Sequence, residues 1–202
     1  MFRSKGSLLL VAMLLSGVAQ AYVVTINPGP RAVYLRVGDG AFTGQYQSGG
    51  TPGNLATVNV VSVAVPAAVV GNGTLQAMTT AARLTSDLDG FVFCTAGQVY
   101  IGGFYREPGN AGTASLIADA PANLTTGAGD TIPFSQISWT STGNGDASEP
   151  IPAGTFSGGA QVLTTFPVNT WRESCLGFRY ANGAVVVAGV YSGRVVYTLS
   201  AP

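Results

Sequence analysis

The sequence contains no histidine, and its one lysine, Lys5, lies near the start. Histidine is the usual general base near neutral pH and the commonest zinc ligand. Its absence removes the Ser-His-Asp arrangement and histidine metal sites. A body without lysine also has no Schiff-base chemistry. Charge of either sign is scarce: 9% of residues are charged, against about 25% in ordinary globular proteins. Beyond residue 21, seven arginines face nine acids, a net charge of −2. Such a chain offers no basic footprint for nucleic acid. Long apolar runs are missing too. Leu8–Leu15 is too short for a span of about 20 residues, so no transmembrane span is expected. At 47% hydrophobic, the chain is nevertheless too apolar to be disordered.

The inventory left for catalysis is thin. Asp87 and Asp89, within Ser86-Asp87-Leu88-Asp89-Gly90, come closest to a glycosidase-type carboxylate pair. So tight an alternation reads as a turn former. The loop Gly143–Glu149 carries oxygen ligands but lacks EF-hand spacing. Trp139 and Trp171 are candidates to stack on sugar rings, although packing in a strand is the commoner fate of tryptophan. Asn72-Gly73-Thr74 and Asn123-Leu124-Thr125 match glycosylation acceptors. The expectation is a protein with no enzymatic activity, no cofactor and no metal.

What is present begins with a basic start, Met1-Phe2-Arg3-Ser4-Lys5, then the apolar Leu8–Leu15, then Ala19-Gln20-Ala21. This is the pattern of a secretion signal cleaved after Ala21. In an exported chain, the two cysteines, Cys94 and Cys175, read as one disulfide. Closing so long a loop is worth about 4.5 kcal/mol in the chain-entropy model.

Between the ends, short β-branched runs alternate with Gly, Pro, Asn and Ser, the signature of a β-sandwich or barrel. The expected strands are Tyr22–Ile26, Ala32–Val37, Thr57–Ala64, Phe91–Cys94, Gln98–Tyr105, Thr113–Ile117, Phe134–Ser141, Thr155–Thr165, Leu176–Tyr180, Ala184–Val187 and Val190–Ser200. Asn182-Gly183 between apolar runs signals a hairpin. Leu75–Leu84 fits a short helix or an irregular strand equally. Ala153–Gly158 recurs as Ala188–Gly193, which predicts two similar strand entries, each with an aromatic facing the core.

The two ends alternate in the manner of strands. Tyr22, Val24 and Ile26 take one side, and Pro28-Gly29-Pro30 separates them from the next run. Near the other end, Gly189 precedes a strand in which Val195, Tyr197, Leu199 and Ala201 share a face. With these features the chain resembles the subunits of bacterial chaperone–usher fimbriae, or pilins.

The resemblance implies an incomplete Ig-like β-sandwich over residues 31–202. An extension over 22–30, with Val37 as the alternative far end, would follow the signal. It implies a donor strand bearing Tyr22, Val24 and Ile26. The acceptor groove, which a chaperone covers, would use Gly189, Val195, Tyr197 and Leu199. The function implied is a structural subunit of a surface fimbria, polymerising by donor-strand exchange and supporting adhesion. The partners implied are identical or related subunits, a periplasmic chaperone, an outer-membrane usher and a receptor on a host or other surface. The chain would pass through the periplasm to the cell surface. The second reading is a stand-alone secreted β-sandwich binding module, for example one that binds sugar.

Overall fold

In a computed structural model, which describes residues 24–44, 59–109, 111–143 and 149–202, the alternation expected of strands is plainest at Thr113–Asp119. Ala114, Leu116 and Ala118 are fully buried, and the residues between them turn outward. This period of two is what a strand with one buried face imposes. The signal-like segment 1–21, Tyr22, the turn 49–53 and most of the loop 143–149 lie outside the described residues.

The strands follow in order as β1 (Val24–Thr25), β2 (Ala32–Val37), β3 (Gly40–Gly44), β4 (Gln76–Ala77), β5 (Val99–Arg106), β6 (Thr113–Asp119) and β7 (Asn123–Thr125). Then come β8 (Thr131–Pro133), β9 (Ile137–Thr142), β10 (Gly154–Thr155), β11 (Ala160–Pro167), β12 (Thr170–Tyr180) and β13 (Val196–Ser200). The large sheet runs β10-β9-β12-β5-β2-β3, and β1 and β4 also pair with β12. A second sheet runs β11-β6-β13, and β7 pairs with β8. All these strand pairs are antiparallel. The main core joins side chains of both sheets: Val33, Leu35, Ile101 and Phe178 from one, Leu116, Leu163 and Phe166 from the other. The fold is an all-β, sandwich-like one.

The organising strand is β12, eleven residues long. Its first half pairs with β5, and its second half with β9. Register through β2, β5 and β12 sets two rows across the sheet. One row is Tyr34, Phe104 and Trp171; the other is Arg36, Gly102 and Glu173. Both rows are on the face opposite the main core. That face carries a separate small cluster of Cys94, Tyr100 and Cys175, with Leu84 and Phe93 packed against it. Cys94 and Cys175 form a disulfide across a separation of 81 residues.

The expected strand Ala32–Val37 matches β2 from end to end. Gln98–Tyr105 and Thr113–Ile117 match β5 and β6 within two residues at each end. Other segments differ. No helix forms over Leu75–Leu84: the segment holds β4 and a bridge between Ser62 and Thr79. Of the run Thr57–Ala64, the described residues 59–64 form no ladder, and Ser62 makes that bridge. Phe91–Cys94 contributes one bridge, Thr85 to Val92.

Asn182-Gly183 does not turn a hairpin, because Ala184–Val187 forms no strand. Asn182 takes a left-handed φ of 51° and is 1% exposed. Its amide nitrogen donates to the Val69 carbonyl at 2.7 Å, and its Oδ1 accepts from the Gly71 N–H at 2.9 Å. The asparagine therefore fastens a distant turn rather than a hairpin. Of the two repeat copies, only Gly154–Thr155 enters a strand, and Phe156 is buried behind it. In the second copy, Tyr191 packs on the core and Gly193 fits where a Cβ would meet Phe134 at 2.8 Å and Leu124 at 2.9 Å.

Candidate functional site

A sheet edge is a row of alternating N–H and C=O groups, and an edge without a neighbour is a template for another strand. Among the described residues, β13 closes its sheet at such an edge. It pairs with β6 on one side, from Val196 opposite Asp119 to Ser200 opposite Ser115. Tyr197 and Leu199 stand opposite the fully buried Ala118 and Leu116, so they share the core-facing side. Val195, Tyr197 and Leu199 pack against the core but remain partly exposed. Burial pushes the Tyr197 phenol well above its ordinary pKa. Val196 faces outward and is 45% exposed. Gly189 is exposed in the segment before the strand, alongside the exposed Val185, Val187 and Val190.

At the other end of the chain, Val24 and Thr25 pair with Trp171 and Thr170 of β12. The Ile26 N–H donates to the Asn169 carbonyl at 2.9 Å. This segment therefore rests on its own chain's sheet through a ladder of two residue pairs. It and β13 belong to different sheets.

The face opposite the main core carries a cluster of partly buried charge, Arg36, Asp87 and Glu173. Asp87 accepts hydrogen bonds from the Tyr34 hydroxyl and the Arg36 Nε, and pairs with Arg83 Nη1 at 2.8 Å. Burial would raise its pKa, but the hydrogen bonds from Tyr34 and Arg36 and the charges of Arg36 and Arg83 outweigh that and hold it low. One oxygen of Glu173 accepts from Ser86 at 2.8 Å, Tyr100 at 2.6 Å and the Trp171 indole at 2.9 Å. Burial and the Glu173 carboxylate push the Tyr100 phenol far up. Gly102 makes this possible. A Cβ there would occupy the place of the Tyr100 hydroxyl.

The carboxylates singled out in the sequence thus have structural partners. Asp87 is bound by two arginines, and Asp89 accepts from the Phe91 N–H at 3.0 Å within a turn. Trp139 and Trp171 are 5% and 8% exposed, so neither ring presents a flat face for stacking. A shallow open depression lies beside Pro30, Arg31, Glu107, Pro108 and Gly109, with an Arg31–Glu107 ion pair of 3.3 Å. Among the described residues, no helix is long and apolar enough to cross a membrane, and no group of acidic or cysteine side chains is arranged to hold a metal.

Sequence reasoning missed Glu173 and Tyr100, and it took Asn182 for a hairpin residue. Glu173 was missed because two of its three donors, Ser86 and Tyr100, are distant in sequence. No protein-family model, curated protein or solved structure matches the chain.

Proposed function

We propose that the protein is a structural subunit of a surface fimbria, an Ig-like sandwich completed by a strand from a neighbouring subunit, and that it supports adhesion. The observation that carries this reading is β13. Among the described residues it is bonded along one edge, and its core-facing side chains are left partly open. An incoming strand would satisfy the second edge and cover Val195, Tyr197 and Leu199. Main-chain bonds would give affinity, and pockets for alternate side chains would set register.

The donor is the segment bearing Tyr22, Val24 and Ile26, exposed as the new start once residues 1–21 are cleaved. In the single chain its described residues, Val24 to Ile26, are held by two residue pairs and one further backbone bond. Each apolar side chain it buried in a neighbour would contribute about 1.5–3 kcal/mol. Such a contact is head-to-tail and propagates into a filament. Before assembly, a periplasmic chaperone would cover β13 and an outer-membrane usher would pass the subunit outward. Trp139 and Trp171, buried as they are, give the sugar-binding alternative no platform.

Immunogold electron microscopy of producing cells, with and without the protein, tests the reading. Gold along surface filaments that disappear without the protein is the expected result. Label confined to soluble monomer would reject it.

A further inference from the structure

We propose that residues 84–94 form a redox-gated lid, which reduction of Cys94–Cys175 releases from the sheet while the sandwich core stays folded. The backbone hydrogen bonds of this segment close on themselves. Ser86 donates to Phe91 at 2.8 Å, Gly90 to Ser86 at 3.1 Å, and Phe93 and Cys94 to Leu84 at 2.8 and 2.9 Å. Thr85 and Val92 bridge within the same segment. No ladder joins it to β2, β5 or β12, whose outer face it covers.

Its attachments to that face are of another kind. The disulfide anchors one end at Cys175 of β12. Side chains hold the rest: Ser86 to Glu173, and Asp87 to Tyr34 and Arg36. The Asp87 N–H also donates to the Tyr100 hydroxyl at 3.2 Å. The packing beneath it is equally separate, because Cys94, Tyr100 and Cys175 form a cluster distinct from the main core. At its tip, Phe91 and Val92 are 75% and 76% exposed and pack little surface. A segment with few buried contacts and no ladder opens locally at less cost than the core.

With a dithiol as reductant, two exchange steps transfer two electrons and two protons to the protein sulfurs. Cys94 and Cys175 become thiols, and the dithiol closes to its own cyclic disulfide. The lid then keeps its polar attachments and the packing of Leu84 and Phe93 against the Tyr100 cluster. Opening uncovers Tyr100, Glu173 and Arg36 to water, where those charge-assisted bonds weaken. The device does not depend on the fimbrial reading.

The test is amide hydrogen exchange read by mass spectrometry on the whole chain, oxidised and after dithiothreitol. Expected is a tenfold or greater rise in exchange across 84–94, with β6, β11 and the second half of β12 unchanged. The Cys94→Ala, Cys175→Ala double variant should match the reduced protein. Unchanged protection of 84–94 would overturn the proposal, since the polar contacts and the packing of Leu84 and Phe93 would then hold the segment without the disulfide. Loss of protection in lid and core together, in either sample, would overturn it equally.

Discussion

Tyr100 reaches over Gly102 to donate a 2.6 Å hydrogen bond to Glu173 on the neighbouring strand. The same hydroxyl accepts the Asp87 N–H, so one phenol joins β5, β12 and the segment above them. Removing it leaves a carboxylate short of a donor and an N–H short of an acceptor. Tyr100→Phe should cost about 1–3 kcal/mol in chemical denaturation. Gly102→Ala should cost a similar amount, because the methyl displaces the hydroxyl. Wild-type stability in both variants would show that the bond is dispensable.

The acid and alkaline limits follow from opposite shifts. Asp87 has a lowered pKa in the folded state, with burial opposing the shift and the Tyr34 and Arg36 hydrogen bonds prevailing. Its contribution is therefore present above the unfolded carboxyl value of about 3.9 and lost as pH falls through the folded value. Tyr100 and Tyr197 are raised, chiefly by burial. Their contribution is complete below the unfolded phenol value of about 10 and lost as pH rises through the folded values. Denaturation across pH should show Asp87→Asn flattening the acid limb only. Ultraviolet titration should show these two phenols ionising late, with unfolding. Two phenols titrating normally in folded protein would contradict this.

Asn182 offers a separation of backbone from side-chain effects. Its left-handed φ suits Asn or Gly, while its amide ties Val69, Gly71 and Asn72. Asn182→Gly keeps the backbone and loses all three bonds. Asn182→Asp keeps an acceptor for Gly71 and loses the donor. Both should lower the thermal midpoint, with the cost again about 1–3 kcal/mol for buried groups left unpaired. If Asn182→Gly matched wild type, the conformation alone would be what the position needs.

The sequence made legible what repeats locally. Ala32–Val37 and Thr113–Ile117 alternate cleanly, and they are strands. Two cysteines admit one intramolecular pairing, and it forms. The first half of β12 was not legible, because Arg172 and Glu173 break its apolar pattern. Glu173 is tolerated there through three donors, of which Ser86 and Tyr100 are distant in sequence. Gly40–Gly44 escaped notice because glycine weakens strand propensity, whereas pairing with β2 fixes it. Asn182-Gly183 has hairpin chemistry but caps β12, so tertiary bonds decided its use. The β13 edge was legible as alternation; that it lies beside β6 and, among the described residues, ends its sheet required the fold.

The strand-donation reading makes a demand on both ends of the chain. Val24 must leave its place opposite Trp171, and a neighbour's β13 must receive it. Deleting residues 22–26 should leave a domain that folds when a chaperone or fused donor peptide completes it, yet assembly should stop. Val24→Asp should act alike, since an unpaired carboxylate would enter an apolar groove. Tyr197→Asp places the charge on the receiving side, opposite Ala118, and should abolish accumulation of the subunit. Full-length protein should form multimers that survive warm detergent, because ladder bonds and several side chains must part together. Gel electrophoresis without boiling compares the forms. A ladder from full-length protein and a single band from the truncated one is the expected pair. If both run as monomers, or both as ladders, Val24 stays on its own sheet and β13 receives no strand from a neighbour.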